Sequence, residues 1–164
     1  MNRSELLNEL KEQAQHITNE DLSLARAAVM EAVEHVPEPY KTIYSSDYFS
    51  FLYENFLSLK GHEQVHAEDE LDAQEYDSLL HSIRDKNDLE GRKREALTRF
   101  SGLVLAYLVF ILREPLHPVG MVFPGGMRIM QMEAHYYCPV KDKQSGTGIS
   151  FCEFCICKDS SELE

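Results

Sequence analysis

Ala96-Leu97-Thr98-Arg99-Phe100-Ser101-Gly102-Leu103-Val104-Leu105-Ala106-Tyr107-Leu108-Val109-Phe110-Ile111 decides how the chain is read. Ala96, Leu97, Phe100, Leu103, Val104, Tyr107, Leu108 and Ile111 recur at the 3.6-residue period of an α-helix. Val109 and Phe110 fill the remaining sides of its second half. A helix that is apolar all round must be buried all round, so this segment is expected at the centre of a bundle.

Working toward the N-terminus, the same period returns four times. Leu7, Leu10, Ala14 and Ile17 follow a cap expected at Ser4. Thr18 with Asp21 makes a capping box, and Leu22, Ala25, Val29, Ala32, Val33 and Val36 form the stripe that follows. Pro37 and Pro39 stop that helix. Ser46 is the expected cap of the next, with Phe49, Leu52, Tyr53, Phe56 and Leu59 on one face and Gly61 at its end. Beyond an acidic stretch, Leu71, Tyr76, Leu79, Leu80 and Ile83 keep helical spacing. The fold class is therefore mainly α, with a bundle of about five helices over residues 1–113.

Past Arg113 the chemistry changes. Pro115, Pro118, Gly120, Pro124, Gly125 and Gly126 are turn formers, and residues 114–164 read as a loop-rich subdomain packed on the bundle within one structural domain. A short strand is predicted within 127–137, paired as a β-hairpin with the segment near 149–151. Apolar positions in this tail are too few and too irregular to build a core alone. It needs the helices, a metal, or both.

The tail also holds all four cysteines, spaced Cys138-x13-Cys152-x2-Cys155-x-Cys157. Two thiolates separated by two residues can meet one tetrahedral ion from a tight turn, and a third from a distant loop closes the site. Zinc is the expected metal, on Cys138, Cys152 and Cys155. His117 is the preferred fourth ligand, because a Pro-Gly loop holds its imidazole in place. Cys157 is the alternative, at the cost of a bent Cys-x-Cys backbone, and His135 ranks third. Reduced cysteines that only pack, a redox pair and an iron–sulfur cluster remain as other readings. Four thiolates, or three and a histidine, would fill a tetrahedral zinc and leave no position for an activated water, so such a site is structural.

A second pattern is His62-Glu63-Gln64-Val65-His66, which matches H-E-x-x-H. In that pattern two histidines one helical turn apart bind zinc, and the glutamate is the base of a hydrolase. Asp72 stands where a third ligand would be. The context argues against it, because Gly61 breaks the helix on which the pair must lie. Acidic Glu68, Asp69 and Glu70 look like a solvated helix start.

Composition narrows the classes further. The 164 residues carry 16 basic and 28 acidic side chains, a net charge of −12, with most of the deficit in the first hundred residues. Such a surface disfavours nucleic acid and anionic membranes as partners, because phosphate neutralisation needs a basic patch. The longest apolar run, Leu103 to Leu112, has ten residues, about half of a membrane span. No secretory leader is read at the N-terminus, and four cysteines without a signal fit a reducing cytoplasm.

His117-Pro118-Val119-Gly120, Phe123-Pro124-Gly125-Gly126, Tyr137-Cys138-Pro139-Val140-Lys141-Asp142-Lys143-Gln144 and Phe151-Cys152-Glu153-Phe154-Cys155 together resemble a family of uncharacterised proteins from methanogenic archaea. The likeness covers residues 115–156. It implies a lineage and a cytosolic setting but no activity. His117, Cys138, Cys152 and Cys155 fall inside its motif blocks and Cys157 just outside, which favours His117 as the fourth ligand. The expected function is a non-enzymatic binding or regulatory protein. Its acidic helices would meet a partner protein, and zinc would fix the loop bearing Arg128, Lys141 and Lys143. The alternative is a zinc hydrolase using His62, Glu63 and His66.

Overall fold

The computed structural model describes residues 1–63, 69–87, 91–144 and 151–163. Its axis is the expected apolar helix, α6 (Arg92–Ala106), which continues as π-helical turns over Tyr107–Leu112. Phe100, Val104 and Leu108 are fully buried, as apolarity on every side requires. Arg113, in the left-handed region at φ 55°, ends the run. Among the described residues, Arg92–Leu112 is long and apolar enough to cross a membrane, yet 67% of its apolar window is buried inside the fold, as in a core helix.

Around this axis pack α1 (Arg3–Gln15), α2 (Asn19–Ala32), α4 (Tyr48–Gly61) and α5 (Ala73–Asn87). The mainly helical fold read from the sequence is the fold observed. Thr18 and Asp21 form the predicted capping box, with Asp21 N–H donating to Thr18 Oγ1 at 3.1 Å. The cap of α1 differs from expectation. Asn2 takes that role instead of Ser4, because its Oδ1 accepts from Glu5 N–H and the Glu5 carboxylate accepts from Asn2 N–H, both at 2.9 Å.

Ser46 caps nothing either. Helical backbone already begins at α3 (Tyr40–Thr42) and passes through π-helical Ile43–Asp47 into α4. Glu38 starts it by accepting from Thr42 N–H and Oγ1–H at 3.1 and 2.8 Å, and the Pro37 and Pro39 carbonyls accept from Lys41 and Ile43. α2 stops at Ala32, several residues before Pro37, so Val36 leaves the stripe while Val33 stays buried.

In the tail, β1 (Met130–Met132) and β2 (His135–Cys138) form an antiparallel hairpin, with Met130 opposite Tyr137 and Met132 opposite His135. β3 (Lys158–Asp159) joins β2 in parallel. The predicted hairpin partner was different: residues 149 and 150 lie outside the described residues, and Phe151 is in no strand. The actual partner is nearer in sequence because Glu133 adopts the left-handed region, at φ 56°, and reverses the chain directly after β1. Gly125 and Gly126, at φ 100° and 80°, make the preceding turn, closed by Phe123 N–H on the Met127 carbonyl at 2.9 Å. A short helix, α7 (Lys141–Gln144), follows β2.

The tail also builds more of a core than its pattern promises. Met121, Phe123, Ile129, Cys138 and Cys157 are buried together, with Ile43, Tyr44 and Tyr48 of the helical part completing the cluster. Phe154 reaches the other way, into the core of the bundle beside Leu116.

Candidate functional site

The four cysteines sit where the tail meets the bundle, and all four are free thiols. Cys138 ends β2 and is buried, with the Val140 N–H donating to its sulfur. Cys152 opens a 3₁₀ turn, Cys152–Phe154, that closes when Cys155 N–H donates to the Cys152 carbonyl at 3.1 Å. Cys157 is buried just ahead of β3. Lys141 clamps the turn: its ammonium donates to the Cys155 carbonyl at 2.8 Å and also to the Cys152 carbonyl.

These contacts separate the thiols electrostatically. The Cys157 thiol donates to Cys155, whose sulfur is therefore held well below the usual thiol range despite burial. Amide N–H groups of Leu116 and Cys157 and the Lys141 charge favour the same thiolate. Cys157 is pushed up, first by giving its proton to that bond and then by burial and the negative charge beside it. Burial likewise pushes Cys138 up, with Cys155 and Cys152 adding repulsion. The Cys155 sulfur, accepting from the Cys157 thiol, is the one of these sulfurs most disposed to the thiolate form that soft metals bind. Among the described residues, no three His, Cys, Asp or Glu side chains converge closely enough to hold a metal as they stand.

His117 is near this cluster by backbone, since its neighbour Leu116 bonds Cys155, but its ring is engaged elsewhere. It stacks on Tyr48 with centroids 4.7 Å apart and meets the Phe123 ring edge-on at 5.7 Å. Burial pushes its pKa down to about 4, so the imidazole is neutral near pH 7. It also walls a cleft of about 210 Å³ with Glu114, Gln131 and Tyr136. Tyr48 was missed in the sequence. Its half-buried phenol is kept neutral by desolvation and by negative charge on Cys155 and Cys152. The stripe of α4 begins at Phe49, one residue on, so periodicity alone gives no sign of it. Lys141 was noted only as a flanking charge, and its place three residues after Cys138 was the available signal.

The second pattern is arranged differently. α4 ends at Gly61, and His62 follows in extended backbone at φ −65°, ψ 122°. Its Nδ1 lies 2.7 Å from the Tyr107 hydroxyl, the two rings meet edge to face, and its carbonyl accepts from Lys11 at 2.6 Å. Glu63 is exposed, and His66 lies outside the described residues. Asp72 caps α5, accepting from Gln74 and Glu75 N–H at 3.0 and 3.2 Å. His135 is exposed at the start of β2.

Comparison with known proteins places these features in a lineage. A family profile described as an uncharacterized protein conserved in archaea (DUF2115) matches residues 2–160. A UPF0305 protein of Methanococcus maripaludis strain C7 is 36% identical, covering 99% of this chain and 100% of its own length. One from Methanocaldococcus jannaschii is 30% identical over 100% of both. Another, from Methanothermobacter thermautotrophicus, is 32% identical over 85% of this chain and 84% of its own. No solved structure matches significantly.

Proposed function

We propose that this chain, which belongs to the DUF2115 family of uncharacterized archaeal proteins, is a protein-binding or regulatory module whose tail is held by a structural zinc ion. The observation that carries the reading is the meeting of thiols from separate elements. Cys138 ends a strand, Cys155 follows a 3₁₀ turn and Cys157 precedes another strand, yet Cys155 bonds Cys157, Cys157 feels Cys138, and Cys138 feels Cys155 and Cys152. Zinc binding requires a further closure, in which the shared protons leave and the sulfurs turn onto one ion. Cys138, Cys152 and Cys155 are the first three ligands.

For the fourth position, support has moved toward Cys157. It already bonds Cys155, whereas His117 is stacked between Tyr48 and Phe123 and would have to leave that packing. A site filled this way is closed, so zinc acts as a clamp and supplies no catalytic water. The exposed Met127, Met130 and Met132 beside the clamp offer adaptable apolar contact to a partner protein. The net negative charge argues against nucleic acid, and reduced thiols fit a cytoplasmic setting.

Metal content of protein purified under reducing conditions tests this. One zinc per chain is expected, lost in Cys152→Ser and kept in His62→Ala. Loss in His62→Ala with retention in Cys152→Ser would instead establish the hydrolase pattern. Cys157→Ser and His117→Ala, compared in the same assay, assign the fourth ligand.

A further inference from the structure

We infer that the cleft between α2 and α4 binds a small amphiphilic anion: an aromatic or branched apolar body carrying one carboxylate or sulfonate. The two helices both pack on α6 and scarcely on each other, which leaves an opening of about 380 Å³ between them. That volume lies in the usual range of small-molecule sites, about 300–1,000 Å³. Its floor is apolar, with Leu22 from α2 facing Phe49 and Tyr53 from α4. Its polar residues are Asn19, Ser23 and Arg26 from α2 and Ser50 from α4, and Tyr53 adds a phenol to the apolar wall.

Arg26 selects the charge of the ligand. The carboxylates of α2 are each matched by a base on α6: Glu20 with Arg92 at 3.1 Å, Asp21 with Arg99 at 2.6 Å and Glu31 with Lys93 at 3.6 Å. Arg26, the base of α2, has no such acid among the described residues. Positions three and four away on the helix are Leu22, Ser23, Val29 and Met30, none of which carries a charge. Across the cleft, α4 contributes Phe49, Ser50 and Tyr53, and its Glu54 does not line the opening. In a chain of net charge −12, an unmatched arginine at the mouth of an apolar cleft creates a local positive potential. A guanidinium binds a carboxylate or sulfonate in a bidentate manner, while an apolar body displaces water from the aromatic floor. Both halves of the ligand are thereby specified.

The test uses the full chain with two fluorescent probes, the anion 8-anilinonaphthalene-1-sulfonate and its uncharged relative N-phenyl-1-naphthylamine. The anion is expected to saturate at one per chain and to bind more tightly than the neutral probe. Arg26→Gln should weaken the anion about tenfold or more, the loss expected for one charge-assisted hydrogen bond, and leave the neutral probe unchanged. Arg26→Lys should recover part of that loss, and Ser50→Phe, which fills the opening from an exposed position, should abolish both. Near-ultraviolet circular dichroism identifies variants that keep the native packing. The inference is overturned if folded Arg26→Gln binds the anion within twofold of wild type. It is also overturned if Ser50→Phe leaves binding intact, or if the anion shows no saturable binding.

Discussion

Phe154→Ala probes how the thiol turn is held. Phe154 lies between Cys152 and Cys155, is 6% exposed, and packs in the core of the bundle, not in the tail's own cluster. Burying an aromatic side chain removes about 150–250 Å² from water, which at about 25 cal/mol per Å² gives roughly 4–6 kcal/mol. Core Phe→Ala substitutions cost about 3–5 kcal/mol. The lower end, about 3 kcal/mol, is expected here, because a site at the edge of the core can collapse onto the space left. A typical domain has about 5–15 kcal/mol in all, so the helices should survive while the tail undocks. The readout follows from burial of Cys138 and Cys157, which are 5% and 4% exposed. With chelator present, thiol titration of wild type should show slow reaction at both. If local undocking exposes them, 3 kcal/mol corresponds to about a hundredfold faster modification, at 1.4 kcal/mol per tenfold. Urea unfolding followed by helical circular dichroism measures the global part in parallel. Thiol rates within fivefold of wild type, together with a stability change below about 1 kcal/mol, would refute the docking argument.

Cys138→Ser should eliminate stoichiometric zinc, and the chelated wild-type protein should then match the variant in thermal stability, as scanning calorimetry can show. Thr18→Ala removes the acceptor for Asp21 N–H and is expected to cost about 1 kcal/mol in urea unfolding. Asp21 is held below its ordinary value of 3.8, chiefly by the Thr18 amide, with Arg99 contributing. A depressed carboxylate stabilises the fold above its unfolded pKa and loses that contribution as pH falls through the folded value. Asp21→Asn should therefore be less stable than wild type at pH 6 and converge with it once pH has fallen well below 3.8, through the folded value. Tyr107→Phe deletes the hydroxyl 2.7 Å from His62 Nδ1, at a tyrosine 1% exposed, and should cost about 1–3 kcal/mol. A change under a few tenths in denaturant titration would mean that water replaces that bond.

The helices were legible because their signal is periodic burial. Ala96 to Ile111 repeats its apolar positions for four turns, and only a helix enclosed by other helices could bury them all. Capping was legible where the acid three residues on singled out one candidate: Thr18 has Asp21 while its neighbour Asn19 has Leu22, whereas Ser4 was read without that test. Geometry chose Asn2 because the reciprocal bond needs the acid three residues later, which for Asn2 is Glu5 and for Ser4 would be the apolar Leu7. At the site, cysteine spacing announced a shared neighbourhood but carried no information about which groups would compete for His117. Tyr48 and Phe123 hold its ring, and both look like ordinary core residues when read in one dimension.

The π-helical turn ahead of Tyr48 shows why the junction between bundle and tail escaped the sequence. A 3.6-residue period assumes that every turn bonds i to i+4, but Ile43–Asp47 bonds i to i+5. One additional residue in a turn rotates what precedes it relative to the face of α4 that buries Phe49, Leu52 and Phe56. Ile43, Tyr44 and Tyr48 are turned toward the tail instead, where they complete its small apolar cluster. Tyr48 also packs against the core of the bundle, so one aromatic ring serves both clusters and stacks on His117. Straightening the segment into regular α-helix would rotate Ile43 and Tyr44 away from Met121 and Phe123. A tail with few apolar residues thus borrows Ile43 and Tyr44 from the π-helical turns, and Tyr48 from the start of α4, to complete its core.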